Sequence, residues 1–370
     1  MLYSMLLGSL VMVTGVVAQE YTLIQTYNVS NFFNEFTFYS DVDPTGGFVD
    51  YTTFDEALAQ RLINNISDYI YLGVDHENTV PETGVGRPSV RLESRLTFTE
   101  GLFVLDLKHL PVGCGTWPAF WTVGLGKWPA DGEIDIIEGV NDASGNEAAL
   151  HAAGDCQVSK DVDQTGTWKS TDCNIDHDKN QGCGSQFAEA ESYGAPFNDN
   201  GGGVYAMEWT NETISIWFFV PNNVPESLLL PDSIPDTSEF GTPSASFYGP
   251  CSEDFSKNFF NHTIVIDTTF CGGWGGSTFG KGSGTQCVIA QGSTSEDSCK
   301  AFVANNPEAF NETYWAINSL RVWQKLCLMM LVRVSNRKMA MIGNGTTQTQ
   351  AMQEKMKTVK QRVRAPKTTQ

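Results

Sequence analysis

Apolar and polar residues alternate with a period of two along most of the chain, and clusters of Gly, Pro, Asn and Asp separate the alternating runs. This pattern predicts strands, because successive side chains of a strand point to opposite faces of a sheet. Residues 204–209 and 214–220, joined through Asn211 and Glu212, predict a hairpin. The predicted strands are residues 90–98, 101–107, 119–123, 133–138, 148–151, 203–209, 213–220, 262–268 and 314–323.

Helical periodicity is sparse and is limited to short segments, residues 54–63 and 302–310. The chain has 35 Gly, 22 Phe, 11 Tyr and 9 Trp residues, a composition typical of a turn-rich, aromatic-rich β-protein. No internal repeat or linker interrupts residues 19–324. Strands at this spacing predict one all-β domain, either a sandwich of two antiparallel sheets or a jelly roll.

The two ends of the chain differ from this middle part. Residues 6–17 are an apolar run, and Val16 and Ala18 put small residues at the −3 and −1 positions of a cut after Ala18. Because the run is short and interrupted, we expect residues 1–18 to be a secretory signal peptide rather than a membrane anchor. Residues 325–370 carry ten basic side chains, one acidic side chain and no aromatic one. For them we expect a disordered extension rather than a basic membrane-binding segment.

Charge also differs along the chain. The first 324 residues hold 42 acidic and 13 basic side chains, a net charge of −29. A segment with this negative charge repels phosphate backbones, which argues against nucleic acid as a partner. A neutral polysaccharide meets no such repulsion. We expect a monomer that has no membrane partner.

Eight of the nine cysteines precede residue 324, and an even number behind a secretory leader predicts disulfides whose connectivity stays open. No two cysteines form a C-x-x-C pair, which disfavours a zinc site. Five Asn-x-Ser/Thr sequons before residue 324 are typical of a glycosylated surface. The eight cysteines are Cys114, Cys156, Cys173, Cys183, Cys251, Cys271, Cys287 and Cys299, and the sequons begin at Asn28, Asn65, Asn211, Asn261 and Asn311.

The most informative segment is residues 131–139, Asp-Gly-Glu-Ile-Asp-Ile-Ile-Glu-Gly. In a strand, Glu133 and Asp135 share one face and the isoleucines that alternate with them share the other. Strict alternation would turn Glu138 into the core, where an ionised carboxylate is costly. One extra residue at 136–137, a β-bulge, would return Glu138 to the acidic face.

Three carboxylates so close together repel one another, so at least one of them should have a raised pKa. Glycoside hydrolysis explains this arrangement, because it needs two carboxyl groups that flank a sugar linkage. Asp135, the shorter acid between Glu133 and Glu138, suits a hydrogen-bonding and pKa-tuning role. A calcium site would need loop-like spacing, and solvated acids would not alternate with isoleucine, so the pattern favours catalysis over both. A structural calcium ion elsewhere stays open.

Aromatic residues near these acids indicate saccharide subsites, because sugar C–H faces stack on aromatic rings. Trp117 and Trp121 lie just upstream, Trp128 precedes the acidic strand, and Trp274 stands in the Gly-rich loop of residues 271–276. Four other tryptophans fall in alternating apolar strands and are predicted to be core: Trp209, Trp217, Trp315 and Trp323.

His151 follows the acidic strand closely in the sequence. Two interpretations stay open for it, a hydrogen-bonded structural residue or a group that contacts the substrate.

At these residues the chain resembles the fungal laminarinase type of glycoside hydrolase family 16. Residues 133–138 are similar to that family's bulged active-site signature, Glu-x-Asp-x-x-Glu, and residues 111–121 resemble its neighbouring strand. Residues 43–51 and 87–93 are also similar, so the resemblance spans about residues 25–324. It implies a concanavalin A-like β-jelly roll whose concave sheet forms the substrate cleft.

The resemblance further implies roles for individual residues. Glu133 would be the nucleophile, Glu138 the general acid and base, and Asp135 the assistant between them. The cleft residues would be Trp117, Trp121, His151 and Trp274. Gly273 stands where the family pattern has an Asp.

We therefore expect a secreted enzyme that hydrolyses β-1,3 or mixed β-1,3/1,4-glucan with retention and without a cofactor. One alternative is a cell-wall transglycosylase that passes the same intermediate to a sugar hydroxyl. Another is a non-catalytic β-glucan-binding protein, although such a protein need not keep both glutamates.

Overall fold

The computed structural model describes residues 20–326 apart from residues 67, 178–179, 231–232, 250, 252–254 and 283–284. The expected signal peptide and nearly all of the basic tail, with Cys327, lie outside these residues. The strands are β1 Glu20–Tyr27, β2 Phe36–Phe38, β3 Val49–Tyr51, β4 Ile63–Ile66, β5 Tyr69–Gly73, β6 Arg87–Ser89, β7 Arg91–Phe98, β8 Gly101–His109, β9 Thr116–Gly124, β10 Glu133–Glu138, β11 Glu147–His151, β12 Thr167–Ser170, β13 Cys183–Gln186, β14 Gly203–Trp209, β15 Thr213–Phe219, β16 Ala245–Tyr248, β17 His262–Phe270 and β18 Tyr314–Leu326.

These strands form two large antiparallel sheets that pack as a β-jelly-roll sandwich, which confirms the predicted fold class. One sheet has the order β16-β15-β14-β8-β18-β5-β4, with β1 also paired to β18. The other has the order β12-β13-β11-β10-β9-β17-β7-β2. Strands β3 and β6 form a short parallel pair beside them. The predicted hairpin is β14 with β15.

Alternation along the strands separates an interior core from the outer faces. On β8, Phe103 and Leu105 enter the main core between the sheets. Their neighbours Leu102 and Val104 join a second cluster, which contains Trp323. Full burial of one such side chain contributes about 1.5–3 kcal/mol of hydrophobic free energy. The four tryptophans predicted to be core are all buried: Trp209, Trp217, Trp315 and Trp323.

The helices are short, and their bounds differ from the prediction. They are α1 Phe32–Glu35, α2 Phe54–Ala59, α3 Gly194–Asp199, α4 Glu226–Leu229 and α5 Ser295–Asn305. The predicted helix 54–63 is too long, because Arg61 adopts a φ of 59° that ends the helical path.

The predicted helix 302–310 was placed too late in the chain. The side chain of Thr294 accepts a hydrogen bond from the N–H of Asp297 and caps the helix at its N-terminus. Helix α5 therefore begins at Ser295, seven residues before the predicted start. Pro307 cannot continue an α-helix, and residues Pro307–Phe310 form a separate 3₁₀ turn.

All eight cysteines before residue 324 are paired, as Cys114–Cys287, Cys156–Cys251, Cys173–Cys183 and Cys271–Cys299. This confirms the disulfide prediction and supplies the connectivity that the sequence left open. Within the described residues, no helix is long and apolar enough to cross a membrane.

Two of these disulfides allow a test of how the length of the closed loop sets the stability that a disulfide provides, through the entropy of the unfolded chain. Cys156–Cys251 links residues 95 apart, and Cys173–Cys183 links residues 10 apart. All four sulfurs are buried, so replacement of either pair by alanine leaves similar cavities. Loss of the long link should cost about 4–5 kcal/mol of unfolding free energy and loss of the short link about 3 kcal/mol. Urea unfolding of the two double variants measures both values, and a larger loss for Cys173→Ala/Cys183→Ala would contradict this expectation.

Candidate active site

The acidic strand β10 carries the predicted bulge. Toward β11, Asp135 pairs with Ala149 and Glu138 with Glu147, so β10 advances three residues while β11 advances two. Toward β9, Asp135 pairs with Trp121 and Ile137 with Phe120, which places the extra residue at Ile136. The three isoleucines of β10 are fully buried in the core. The bulge therefore leaves Glu133, Asp135 and Glu138 together on the opposite face.

That face forms a cleft of about 770 Å³ on the side of the sheet turned away from the core. All eight residues that the sequence assigned to the site line it: Trp117, Trp121, Trp128, Glu133, Asp135, Glu138, His151 and Trp274. The cleft lining comes from ten segments of the chain, and six of them are strands of one sheet: β7, β9, β10, β11, β12 and β17.

Two tryptophans contact the outer carboxylates directly. The indole Nε1 of Trp117 donates a hydrogen bond of 2.8 Å to Glu138 Oε1, and that of Trp128 donates one of 2.9 Å to Glu133 Oε2. The sequence predicted these rings as sugar-stacking groups and did not predict the hydrogen bonds. Each bond restricts the direction in which its carboxylate points.

Asp135, the central acid, is buried beside His151, whose Nε2 lies 3.3 Å from Asp135 Oδ2. The Nδ1 of His151 lies 3.1 Å from Asn180 Oδ1. Burial opposes a charge on the ring, but the contact with Asp135 and the charges of Glu133 and Glu138 outweigh burial and raise the pKa of His151 to about 10. The ring is therefore an imidazolium at neutral pH, and it partly offsets the negative charge of the acids.

Burial is the main cause of high pKa values for the two outer glutamates. It raises the pKa of Glu133 to about 7 and that of Glu138 well above its usual range, and the charge of Asp135 raises both further. His151 opposes the rise in both. Arg91 lowers the pKa of Glu133, so Glu133 is the easier of the two to ionise. The pair can thus hold one proton, with Glu138 as the acid and Glu133 as the carboxylate.

A second buried acid, Asp267, lines the cleft and was not predicted. It accepts hydrogen bonds of 2.8 Å from Trp121 Nε1 and from the Tyr51 hydroxyl. The Arg91 guanidinium lies 5.0 Å from the ring of Trp121 and 4.6 Å from that of Tyr39. Burial raises the pKa of Asp267 to about 6, against the opposing effect of Arg91. An Asp inside the apolar strand of residues 262–268 was the available signal in the sequence.

The loop that carries Trp274 is held against the cleft by its own backbone. Gly272 has a φ of 67°, and a Cβ there would lie 3.0 Å from the Thr45 carbonyl, so only glycine fits. The disulfide Cys271–Cys299 fixes one end of the loop. Near the other end, Asn141 Nδ2 donates a hydrogen bond of 2.9 Å to the Gly275 carbonyl. The ring of Trp274 meets that of Trp117 edge to face at 5.7 Å. Gly273 also lines the cleft, without a side chain.

The other end of the cleft is more polar and was likewise missed. Lys169 Nζ lies 3.6 Å from Glu147 Oε2, and both residues line the cleft with Asn180 and Gln181. Lys169 lies on β12, and Asn180 and Gln181 precede β13; both strands have only four residues and carry little sequence signal.

Glu133, Asp135 and His151 each bring one ligand-type atom within 4.8 Å of the others, as in a metal site. A protonated imidazole has no lone pair to offer a metal ion, and Ca²⁺ prefers six to eight oxygen ligands. The charge on His151 therefore makes these residues a poor fit for a metal ion at neutral pH.

Comparison with known proteins agrees with this geometry. Residues 36–323 match the family described as XgeA-like, catalytic GH16 domain. A probable endo-1,3(4)-β-glucanase of Aspergillus fumigatus is 44% identical over 326 residues, which cover 87% of this chain and 48% of the relative. The chain thus spans about half the length of that curated relative.

Two solved structures are similar over most of the chain. An elongating GH family 16 β-1,3-glucosyltransferase is 47% identical, with a TM-score of 0.77 over 82% of this chain and 100% of that one. Laminarinase 16A from Phanerochaete chrysosporium, solved with 6-O-glucosyl-laminaritriose in donor and acceptor sites, is 40% identical. Its TM-score is 0.75 over 82% of this chain and 99% of that one.

The match to the catalytic-domain description covers far more than half of the chain and includes every residue of the cleft named above. The chain belongs to glycoside hydrolase family 16, in the XgeA-like group of that family.

Proposed function

We propose that this protein is an endo-glycosidase that cleaves β-1,3 or mixed β-1,3/1,4-glucan with retention of configuration. The observation that carries the proposal is the register shift in β10, which turns Glu133 and Glu138 into one cleft with Asp135 between them. Retaining glycosidases need two carboxyl groups on either side of the scissile bond. A non-catalytic glucan-binding protein would have no need for both.

The first step forms a glycosyl-enzyme. Neutral Glu138 gives its proton to the glycosidic oxygen as the bond from that oxygen to the anomeric carbon breaks. The carboxylate of Glu133 attacks the same carbon from the opposite face and forms an ester. The leaving chain departs with a new hydroxyl group.

The second step regenerates the enzyme. Glu138, now a carboxylate, takes a proton from water while the water oxygen attacks the anomeric carbon. The ester bond to Glu133 breaks, and the sugar leaves with its original configuration. Asp135 and the His151 imidazolium tune the charge around both glutamates during this exchange.

The cleft lining supports this substrate class. Trp121, Trp128 and Trp274 offer rings on which sugar faces can stack, and Asp267 and Arg91 add polar contacts. The Aspergillus relative is named a probable endo-1,3(4)-β-glucanase. The acidic body favours a neutral polymer over an anionic one.

We also propose that the enzyme is secreted, glycosylated and monomeric, that residues 1–18 are its signal peptide, and that residues 325–370 are an extension beyond the catalytic domain. Four disulfides support an oxidising compartment. Exposed sequons at Asn211, Asn261 and Asn311 support glycosylation.

Glucosyl transfer is the second candidate function, and a specific comparison favours it: the similar structure at 47% identity is that of an elongating β-1,3-glucosyltransferase. The same glycosyl-enzyme would form, and a sugar hydroxyl would replace water in the second step. Glu138 would take the proton of that hydroxyl group, and the ester bond to Glu133 would break as it does in hydrolysis.

Removal of either outer glutamate tests the proposed chemistry. Glu133→Gln and Glu138→Gln should each lower laminarin cleavage by roughly three orders of magnitude, because a neutral amide can neither attack nor exchange a proton. Reducing-end release measures the rate. Glu312→Gln, an exposed glutamate outside the cleft, is the control. Near-normal rates in either cleft variant would overturn the proposal.

The charge on His151 predicts a shift in pH dependence. Its positive charge lowers the pKa values of Glu133 and Glu138, so His151→Asn should raise both. The pH profile of kcat/KM, which reports the apparent pKa values of the pair in the free enzyme, should move to higher pH. His177→Asn removes an exposed histidine that pairs with Asp172 and should leave the profile in place. A shift of the His151→Asn profile toward acid would contradict the assignment.

Product analysis separates the two candidate functions. With laminarin alone, a hydrolase yields short oligosaccharides, and a transferase also yields chains longer than the substrate. We expect an added laminari-oligosaccharide acceptor to increase elongated products only modestly, because water is far more concentrated than the acceptor. Mass spectrometry of the products measures the ratio, and predominant elongation would instead favour the transferase.

A further inference from the structure

The bulge in β10 leaves backbone groups without their usual cross-strand partners. Ile136 has no partner in the pairing with either β9 or β11. The surrounding residues are buried, and buried peptide groups need hydrogen-bond partners. Some other group must therefore complete the hydrogen bonding between Ile136 and Glu138.

The side-chain amide of Asn146 supplies both partners. Its Oδ1 accepts a hydrogen bond of 3.0 Å from the N–H of Glu138, and its Nδ2 donates one of 2.8 Å to the carbonyl of Ile136. A side-chain amide offers the same donor and acceptor as a peptide group, so it can stand in for the missing strand partner. Asn146 is fully buried and does not line the cleft.

Asn146 is itself held in place by its own backbone. Its N–H donates 2.9 Å to the Ser192 hydroxyl, and its carbonyl accepts hydrogen bonds of 2.9 Å from Phe187 N and from Gln186 Nε2. The residue thus connects the catalytic strand to the segments behind it. A side chain with so many contacts has little freedom to move.

We propose that Asn146 is a positioning residue that sets the direction of the Glu138 carboxyl group, a role that rests on the proposed glycosidase function. Asn146 holds the Glu138 backbone, and Trp117 holds the Glu138 carboxylate from the cleft side. Loss of the amide would let the bulge relax and turn the proton donor away from the glycosidic oxygen. Glu133, which pairs normally with both neighbouring strands, would stay in place.

Substrates that differ in their need for a proton donor test this role. In Asn146→Ala, kcat on laminarin should fall about 10- to 100-fold, with KM nearly unchanged. A 2,4-dinitrophenyl β-laminaribioside has a leaving group that needs no proton, so its kcat/KM should fall by less than about threefold. Asn146→Ser, which leaves a hydroxyl group in place of the amide, should lie between wild type and Asn146→Ala and serves if Asn146→Ala does not fold.

The chain offers a matched control. Asn198 also binds both backbone groups of one residue, accepting from Leu110 N at 2.8 Å and donating to Leu110 O at 2.9 Å, away from the cleft. Asn198→Ala should lower thermal stability without changing the ratio of the two activities. Equal losses on both substrates in Asn146→Ala would show a purely structural role and overturn the proposal, as would unchanged activity on laminarin.

A spectroscopic readout keeps this test separate from the proposed function. The indole N–H of Trp117 reports the position of Glu138, and that of Trp128 reports Glu133. In ¹⁵N-tryptophan NMR spectra, Asn146→Ala and Asn146→Ser should shift the Trp117 signal and leave the Trp128 signal in place. A wild-type protein inactive on both substrates would reject the glycosidase function alone, whereas an unmoved Trp117 signal would reject the role of Asn146.

Discussion

One inserted residue in a buried strand governs the rest of the site. Without it, Glu138 would face a core made of isoleucines, where a carboxylate has neither water nor partners. With it, three acids share one face, and their mutual repulsion must be balanced by other groups. Trp117, Trp128 and the His151 imidazolium provide that balance through hydrogen bonds and charge.

These hydrogen bonds and the imidazolium compensate the negative charge of the three acids only in part, and this partial compensation makes the site chemically useful. A fully compensated carboxylate would be ionised at all relevant pH values and could not donate a proton. Burial raises the pKa of both outer glutamates, whereas the positive charge of Arg91 acts on Glu133. The asymmetry separates an acid from a carboxylate on a single strand, which is the division of labour that double displacement requires.

Much of this could be predicted because the signals are local. Alternation in residues 133–138, together with the cost of a buried Glu138, implied the bulge before any coordinates. The long central strands were predicted for the same reason, although β9 and β18 extend beyond their predicted ends. Short strands such as β12 and β13 were missed, because four residues show too little alternation for a period to emerge.

The remaining site residues depend on contacts between distant segments. Arg91 and Asp267 come from β7 and β17, strands that lie next to each other only after the sheet has formed. Asn146 binds the backbone of β10, a strand that precedes it in the sequence, through its side-chain amide. The residues next to Asn146 in the sequence do not mark it as unusual. Charged and amide residues in buried positions are therefore the ones for which sequence patterns were least informative. Their hydrogen-bond partners, rather than their spacing, reveal what they do, since the cost of burial obliges each of them to be paired.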